Sequence, residues 1–279
     1  MTDMMARRQP ASAWFTTPRP SDRPRARLIC LPHAGAGASI FFAWGAAFQA
    51  SGVEVRAVQY PGRETRLAEP LVASARIMTH LLADAWPALS GGAPCALFGH
   101  SMGALLAYEL ALELSRRGIK DPPRRLFLSG RNPPTAPPRL PPIHHLPDAA
   151  FRDAVVERYE SLPPEVLAEP ELMALLTPIL RSDFQLVDEY RWQPQAPAAV
   201  PLTILGGTRD PWTTEAELKG WGQFTTAPCH VRMVAGDHFF HQRERGAVIE
   251  ALRAELEADG LASPTAARRS LAIGEQKPF

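Results

Sequence analysis

Apolar and polar positions along the first half of the chain predict strands and helices in turn. Short apolar runs predict buried strands at 27–31, 95–98 and 125–129, and an alternating pattern predicts another strand at 54–58. Between these runs apolar residues recur every three or four positions, the spacing of one helix face, and Ser39 and Ser74 are expected to cap two of the helices. A repeated strand–helix unit predicts a mostly parallel sheet covered by helices, so the predicted fold class is α/β.

This alternation is interrupted after residue 130. Residues 131–147 contain seven prolines, which excludes both sheet and regular helix there. Three amphipathic helices with no strand between them are predicted next, at 148–159, 169–180 and 183–192. The alternation then resumes, with strands at 202–206 and 230–234 and helices at 215–221 and 246–258. Helices inserted at this point favour a lid over the active edge of the sheet.

The pattern divides the chain into four parts. We expect a core made of residues 27–130 and 196–259, with a helical lid insertion at residues 131–195. Residues 1–26, rich in Arg and Pro, are expected to be a flexible leader, and residues 260–279 a flexible tail. At 279 residues the chain is long enough to bury a substantial core.

Charge and cysteine content narrow the class of protein. The formal net charge of +1 argues against a nucleic-acid binder, which must neutralise many phosphates. The three cysteines are far apart in sequence and fit neither a disulfide framework nor a metal site. The N-terminus lacks the apolar segment of a signal peptide, and no run approaches the roughly 18 apolar residues that span a membrane. We expect a cytoplasmic monomer with no metal and no nucleic-acid or membrane partner.

The motif Gly99-His100-Ser101-Met102-Gly103 lies where a predicted strand passes into an Ala- and Leu-rich helix. This context is typical of a nucleophile elbow, a turn so tight that its serine is lifted clear of the sheet. The two glycines have a steric reason, because the backbones approach too closely there for a Cβ atom. The pattern and its context together predict that Ser101 is a nucleophile.

Two further residues are predicted to complete a catalytic triad. Asp210 follows the strand predicted at 202–206, and His238 follows the last predicted strand. The order Ser, Asp, His is that of α/β hydrolases, and all three lie beyond the carboxyl ends of strands, where parallel sheets bind their ligands. His238 would accept the proton of Ser101, and Asp210 would orient the imidazole.

The glycine-rich turn after the first predicted strand suggests an oxyanion hole. Its spacing, at residues 32–38, matches neither a dinucleotide-binding loop nor a P-loop. In a serine hydrolase, backbone N–H groups of this turn point at the oxyanion together with that of the residue after the nucleophile. We therefore expect Ala34 and Met102 to supply these donors.

Other residues compete for the same roles. Asp237 is a rival acid, although it adjoins His238 and its side chain should diverge from the imidazole. His241 is a rival base one helical turn further on, and His33 is expected to shape its loop by donating a hydrogen bond. Asp210 could instead be a turn former before a proline.

Five motifs resemble those of one known family, over about residues 27–258. They are Leu31-Pro32-His33-Ala34-Gly35, Tyr60-Pro61-Gly62-Arg63-Glu64-x-Arg66, Gly99-His100-Ser101-Met102-Gly103, Leu180-Arg181-Ser182-Asp183-Phe184 and Gly236-Asp237-His238-Phe239-Phe240. The family is the type II thioesterases, stand-alone α/β hydrolases that accompany nonribosomal peptide and polyketide synthases. The resemblance implies an α/β-hydrolase fold with a helical lid, the triad Ser101, Asp210 and His238, and an oxyanion hole at Ala34 and Met102.

The same resemblance implies a substrate and a partner. The enzyme would hydrolyse acyl groups from the phosphopantetheine arm of acyl- or peptidyl-carrier proteins, clearing stalled or mis-primed synthases. It would need no cofactor of its own, because the partner carries the phosphopantetheine. Carrier proteins are usually acidic, and four arginines could meet one: Arg63, Arg66, Arg131 and Arg139.

Candidate substrate contacts are His33 in the glycine-rich turn and Met173, Leu176 and Phe184 in the lid. The lid residues could present apolar surface to an acyl chain, although the same spacing is found on any packed helix. Residues 160–163 lack the glycines often found at that place in the family. Two alternatives stay open, a hydrolase of free acyl-CoA or small esters with the same triad and a non-catalytic interaction subunit.

Overall fold

The computed structural model describes residues 11–159 and 164–264. Its seven strands are β1 (Phe15–Thr16), β2 (Ala26–Leu31), β3 (Val53–Val58), β4 (Cys95–His100), β5 (Leu126–Ser129), β6 (Leu202–Gly207) and β7 (Cys229–Val234). They form one sheet in the order β1-β3-β2-β4-β5-β6-β7. β1 is antiparallel to β3, whereas the other five neighbouring pairs are parallel. The predicted α/β class with a mostly parallel sheet is confirmed.

Helices cover both faces of this sheet. The α-helices of the described residues are α1 (Phe42–Gln49), α2 (Ala75–Asp84), α3 (Trp86–Ser90), α4 (Met102–Arg116), α5 (Asp148–Tyr159), α6 (Pro164–Leu167), α7 (Pro170–Asp188), α8 (Glu215–Leu218), α9 (Phe240–Arg243) and α10 (Arg245–Ala258). Short 3₁₀ helices lie at Ala11–Trp14, Ala38–Phe41, Glu64–Arg66 and Lys219–Phe224. Within the described residues, no helix combines the length and the apolar character needed to cross a bilayer.

The strands supply two hydrophobic cores because successive side chains point to opposite faces of the sheet. On one face, Ile29 and Leu31 of β2 pack with residues of α2 and α4. On the other face, Leu28 and Cys30 pack with residues of α1 and α10. All four side chains are fully buried. Strands buried on both sides explain why their sequences read as continuous apolar runs.

The segment expected to be a flexible leader contains structure from Ala11 onward. β1 adds an antiparallel edge strand to β3, and Trp14 is buried next to it. The guanidinium of Arg66 lies 4.1 Å from the centroid of the Trp14 ring. This element was not predicted because the segment is rich in Arg and Pro. Its apolar contacts come from two adjacent residues, Trp14 and Phe15. At the other end, Leu261 and Ala262 are buried against the core, so the expected tail is anchored at its start.

In the inserted segment, residues 131–195, the first predicted helix coincides with α5. The second and third predicted helices form one continuous helix, α7. Its buried positions Met173, Thr177, Leu180 and Phe184 are spaced by three or four residues and form one face. The two residues left between the predicted helices, 181 and 182, are helical, and Ser182 and Asp183 are both buried.

Of the two predicted N-caps, one is confirmed and one is wrong. The Ser74 hydroxyl accepts a hydrogen bond from the N–H of Ile77 at 3.4 Å, at the start of α2. Ser39 lies instead inside a 3₁₀ turn, and its hydroxyl donates to Glu64 Oε1 at 2.5 Å. α1 begins only at Phe42, without a side-chain cap. Ser39 does not cap α1 because its hydroxyl is bound to the carboxylate of Glu64, which is distant in sequence.

Candidate active site

The serine of the Gly-x-Ser-x-Gly motif lies at the sharp turn between β4 and α4. Ser101 has φ 54° and ψ −111°, a strained left-handed conformation, and α4 begins at the next residue, Met102. A Cβ atom on Gly99 would overlap the carbonyl group of Gly103, and one on Gly103 would overlap the carbonyl oxygen of Leu31. Both glycines are therefore required by the close packing of strand, turn and helix.

His238, after β7, is paired with Asp210, after β6. The imidazole Nδ1 of His238 lies 2.9 Å from Oδ2 of Asp210, and both residues are buried. The same carboxylate accepts hydrogen bonds from the N–H of Trp212 at 2.9 Å and the hydroxyl of Thr213 at 3.0 Å. Since a carboxylate accepts hydrogen bonds, the pair fits the tautomer in which Nδ1 of His238 carries the proton.

The rival acid, Asp237, has other partners. Its Oδ1 accepts a hydrogen bond from the N–H of Phe239 at 2.8 Å. Its Oδ2 forms an ion pair with Arg243. The carboxylate that contacts the His238 imidazole is that of Asp210.

Ser101 and His238 line one cavity of about 590 Å³ at the carboxyl edge of the sheet. Residues 130–142 form one wall, and Phe184 of α7 contributes to another. Trp212 and Thr213, which hydrogen-bond to Asp210, also line it. A cavity of this size, between a rigid sheet edge and an inserted segment, fits a small-molecule group or an acyl chain.

The residues expected to form an oxyanion hole are close to this edge. Ala34 is half-buried in the turn after β2, and Met102 is the first residue of α4. The carbonyl groups of Leu31 and Pro32 lie against Gly103, so the turn and the start of the helix are packed together. The first N–H groups of a helix have no acceptor within the helix, which leaves that of Met102 suited to an anion.

Four histidine rings, those of His33, His100, His238 and His241, are grouped together. The His100 ring centroid lies 3.8 Å from that of His241 and 4.9 Å from that of His238, and the His33 and His241 centroids are 5.3 Å apart. Burial lowers the pKa of His33 to about 4. Burial also lowers the pKa of His100 and of His241 well below the usual histidine range. These three rings are therefore neutral at pH 7.

Of the candidate substrate contacts, all of which lie in the described part of the chain, Phe184 is among the residues lining this cavity and the others are not. Leu176 packs within the small core of the inserted segment, and Met173 is buried on α7. His33 is turned towards its own loop, with Nδ1 3.0 Å from the carbonyl oxygen of Ala34.

Two of the arginines expected to meet an acidic partner are unsuited to that role. Arg63 and Arg66 are buried, with side chains 4% and 3% exposed, and they pair with Asp183 and Glu69. Arg131 lines the cavity. The sequence motifs pointed to these residues, but a motif does not distinguish a buried ion pair from a surface cation.

The thioesterase-domain family model matches residues 26–256. Linear gramicidin dehydrogenase LgrE of Brevibacillus parabrevis is 35% identical, over 88% of this chain and 94% of that protein. Thioesterase PikA5 of Streptomyces venezuelae is 38% identical, over 81% of this chain and 79% of that protein. The type II thioesterase BorB from the borrelidin biosynthetic cluster has a solved structure that superposes with a TM-score of 0.78, at 32% identity over 88% of this chain and 98% of that one.

These comparisons agree with the motifs and with the geometry of the site. One relative, LgrE, is named a dehydrogenase, but the glycine-rich turn of this chain does not match a dinucleotide-binding loop. A G-x-G-x-x-G motif starting at Gly35 would need a glycine at position 40, which is Ile40. The resemblance to type II thioesterases is confirmed by the BorB structure. The chain therefore belongs to the thioesterase family and is a hydrolase with the α/β-hydrolase fold.

Proposed function

We propose that this thioesterase hydrolyses acyl groups from the phosphopantetheine arm of acyl- or peptidyl-carrier proteins of nonribosomal peptide or polyketide synthases. The observation that carries the proposal is the His238–Asp210 pair at the wall of the cavity that Ser101 lines. The relatives support the substrate class, since PikA5 is a thioesterase and BorB a type II thioesterase from a biosynthetic cluster.

The first half of the reaction forms an acyl-enzyme. Ser101 Oγ attacks the thioester carbon while Nε2 of His238 accepts the hydroxyl proton. Asp210 keeps the imidazole in the tautomer with Nδ1 protonated and stabilises the imidazolium that forms. The carbon–sulfur bond then breaks, His238 returns the proton to sulfur, and the free phosphopantetheine thiol leaves with the carrier.

The second half restores the serine. Water attacks the acyl-Ser101 ester as His238 again accepts a proton, and the proton then returns to Ser101 Oγ as a carboxylic acid leaves. A thiol is a good leaving group and needs no protonated nitrogen, so a serine, a histidine and a carboxylate suffice.

In both halves an oxyanion forms on the former carbonyl oxygen. The N–H groups of Met102 and Ala34 are proposed to bind it, and one such donor contributes about 3–4 kcal/mol of transition-state stabilisation in comparable enzymes. Both donors belong to backbone that is fixed by packing, so no reorganisation is needed as the charge develops.

The inserted segment is proposed to act as a lid over the acyl chain. Residues 131–140 and Pro142 of its proline-rich part line the cavity together with Phe184, Val187 and Asp188 of α7. Arg131, Arg139, Arg158 and Arg191 also line the cavity, and their positive charge suits a phosphate-bearing arm. Arg139 is held in place by Glu217 at 2.6 Å.

The proposal is tested by comparing kcat/KM for one acyl group presented in three ways: on a carrier protein, on coenzyme A and on N-acetylcysteamine. The carrier should be preferred by about tenfold or more, because binding energy away from the thioester lowers the barrier. Ser101→Ala is the control for non-enzymatic hydrolysis.

Other outcomes identify other functions. Faster turnover of the free thioesters than of the carrier would contradict the proposal and indicate a hydrolase of free acyl-CoA or esters. If no thioester is hydrolysed and a fluorophosphonate fails to label Ser101 in folded protein, the chain is an interaction subunit.

A further inference from the structure

A buried ion pair joins the inserted segment to the core beneath the glycine-rich turn. Arg63 Nη1 and Nη2 lie 2.6 and 2.7 Å from the two carboxylate oxygens of Asp183, a bidentate arrangement. Asp183 is fully buried and Arg63 is 3% exposed. Asp183 belongs to α7, and Arg63 lies 120 residues earlier in the core. A pair so far from solvent is strongly directional, because it is desolvated and both of its hydrogen bonds are charge-assisted.

The same pair also holds the backbone of the turn. Oδ2 of Asp183 accepts a hydrogen bond from the N–H of Gly35 at 2.7 Å. Nη1 of Arg63 donates to the carbonyl oxygen of Ala36 at 3.1 Å. Gly35 adopts φ 79°, and a Cβ atom there would overlap Leu180 of α7. The turn is therefore pressed against α7 and hydrogen-bonded to both members of the ion pair.

These contacts fix one peptide unit at both ends. The peptide between Ala34 and Gly35 offers its N–H to Asp183, and its carbonyl oxygen lies 3.0 Å from Nδ1 of His33. A planar peptide held at both ends has a fixed orientation. The neighbouring peptide, which carries the N–H of Ala34, then retains little freedom of direction.

We propose that Asp183 and Arg63 are positioning residues that aim the Ala34 N–H at the oxyanion. This inference rests on the proposed function only in that Ala34 is taken as an oxyanion donor. Neither member of the pair lines the cavity that Ser101 and His238 share, so its effect on the reaction passes through the turn. A purely structural pair would hold α7 on the core without affecting kcat selectively.

The test replaces the pair by apolar side chains. Arg63→Met combined with Asp183→Leu removes both charges and the acceptor for Gly35, and such replacements of buried ion pairs often leave stability unchanged. A companion double variant, Arg63→Met with Asp183→Asn, keeps a side-chain oxygen for the Gly35 N–H. Both are compared with wild type for kcat and KM on an N-acetylcysteamine thioester and for the rate of Ser101 phosphonylation by a fluorophosphonate.

In the Met/Leu variant we expect kcat and the phosphonylation rate to fall by about 10²–10³, the effect of losing one oxyanion donor, with KM within about threefold of wild type. The Met/Asn variant should recover at least about tenfold of this loss. Asp148→Asn is the matched control, because Asp148 of α5 is exposed and pairs at 2.6 Å with Arg181, which lies on α7 as Asp183 does. Its kcat should equal that of wild type.

A folded Met/Leu variant with wild-type kcat would overturn the inference, as would an equal loss of kcat in Asp148→Asn. If the Met/Leu variant does not fold, the kcat of Arg63→Lys tests the inference instead. This variant keeps a cation for Asp183 but loses the bidentate geometry. A kcat lowered about tenfold at unchanged KM would support the positioning role, and wild-type kcat would refute it. Phosphonylation of Ser101 needs no carrier protein, so the inference can stand even if the carrier substrate is wrong.

Discussion

The His100 ring is stacked on the His241 ring, with the planes 19° apart and the centroids separated by 3.8 Å. His100 immediately precedes Ser101, and its Nδ1 lies 2.9 Å from the hydroxyl of Ser129 on the neighbouring strand. A Cβ atom at Gly130 would contact the same imidazole. The stack thus supports the His100 side chain, next to Ser101 in sequence, and it requires both stacked imidazoles to be uncharged.

This support makes stability depend on pH. In the folded protein burial lowers the pKa of His33 to about 4 and those of His100 and His241 well below the usual range, whereas in the unfolded chain each is about 6.5. At a pH between the folded and unfolded pKa values, the unfolded chain binds more protons than the folded protein. The stabilisation is therefore complete above about pH 6.5 and is lost as the pH falls towards 4, by about 1.4 kcal/mol per pH unit for each proton taken up.

His241→Phe tests this directly, because a phenyl ring keeps the stack and cannot be protonated. We expect the free energy of unfolding, from urea titrations between pH 7 and pH 5, to fall less steeply than in wild type. His145→Phe, at an exposed histidine, should retain the wild-type slope. Equal slopes in wild type and His241→Phe would show that this ring does not take up a proton on unfolding.

The two candidate acids should differ strongly in their effect on rate. Asp210→Asn keeps the shape but presents an amide to Nδ1 of His238, and we expect kcat to fall by about 10⁴. Asp237→Asn disturbs only the pairing with Arg243, and kcat should stay within about threefold of wild type. Steady-state kinetics of the two variants would assign the acid to Asp237 if the ranking were reversed.

The close packing of the nucleophile turn makes Gly103 intolerant of any side chain. A methyl group there would overlap the carbonyl oxygen of Leu31, and we expect Gly103→Ala to lower the free energy of unfolding by about 3 kcal/mol. Gly246→Ala is the control, because nothing lies within 4 Å of its Cβ position. In the helix α10 that alanine should be neutral or stabilise by about 0.4–1 kcal/mol. Similar stabilities of the two variants in urea would contradict the steric argument.

A second ion pair joins Arg125, directly before β5, to the half-buried Asp259, directly after α10. Arg125 is 5% exposed and binds Asp259 through two bonds of 2.5 and 2.8 Å, and it also donates to Thr203 at 2.9 Å. Arg125→Met leaves buried acceptors without their donor, so we expect a loss of about 3 kcal/mol in the free energy of unfolding.

Arg139→Met removes the exposed pair with Glu217, in which both side chains are 38% exposed. It should cost less than about 1 kcal/mol. Urea unfolding of both arginine variants measures the difference. Equal costs would mean that burial does not strengthen the interactions of Arg125.

Much of the sheet could be predicted because strands buried on both faces leave apolar runs, as β2, β4, β5 and β6 do. β7 is an edge strand, and its residues alternate in burial. Ser101, Asp210 and His238 could be located for a related reason. In a parallel sheet the carboxyl ends of strands share one edge, so strand ends in sequence are neighbours in space.

The features that could not be predicted depend on contacts between distant segments. Ser39 failed as an N-cap because Glu64 binds its hydroxyl. The continuity of α7 was not predicted, because nothing in the polar run 181–183 shows that Asp183 is buried and paired with Arg63. Local propensity and periodicity carry no information about such pairs.

The central claim is that Ser101 accepts an acyl group from a carrier-bound thioester. Intact-mass analysis of an acyl-carrier protein after incubation with the enzyme, with acid quenching on the millisecond to second scale, tests it most directly. The account predicts that wild type returns the carrier to its free-thiol mass while the acyl mass appears transiently on the Ser101 peptide, and that Ser101→Ala does neither. A carrier that stays acylated with wild type, or is cleared equally by Ser101→Ala, would contradict it.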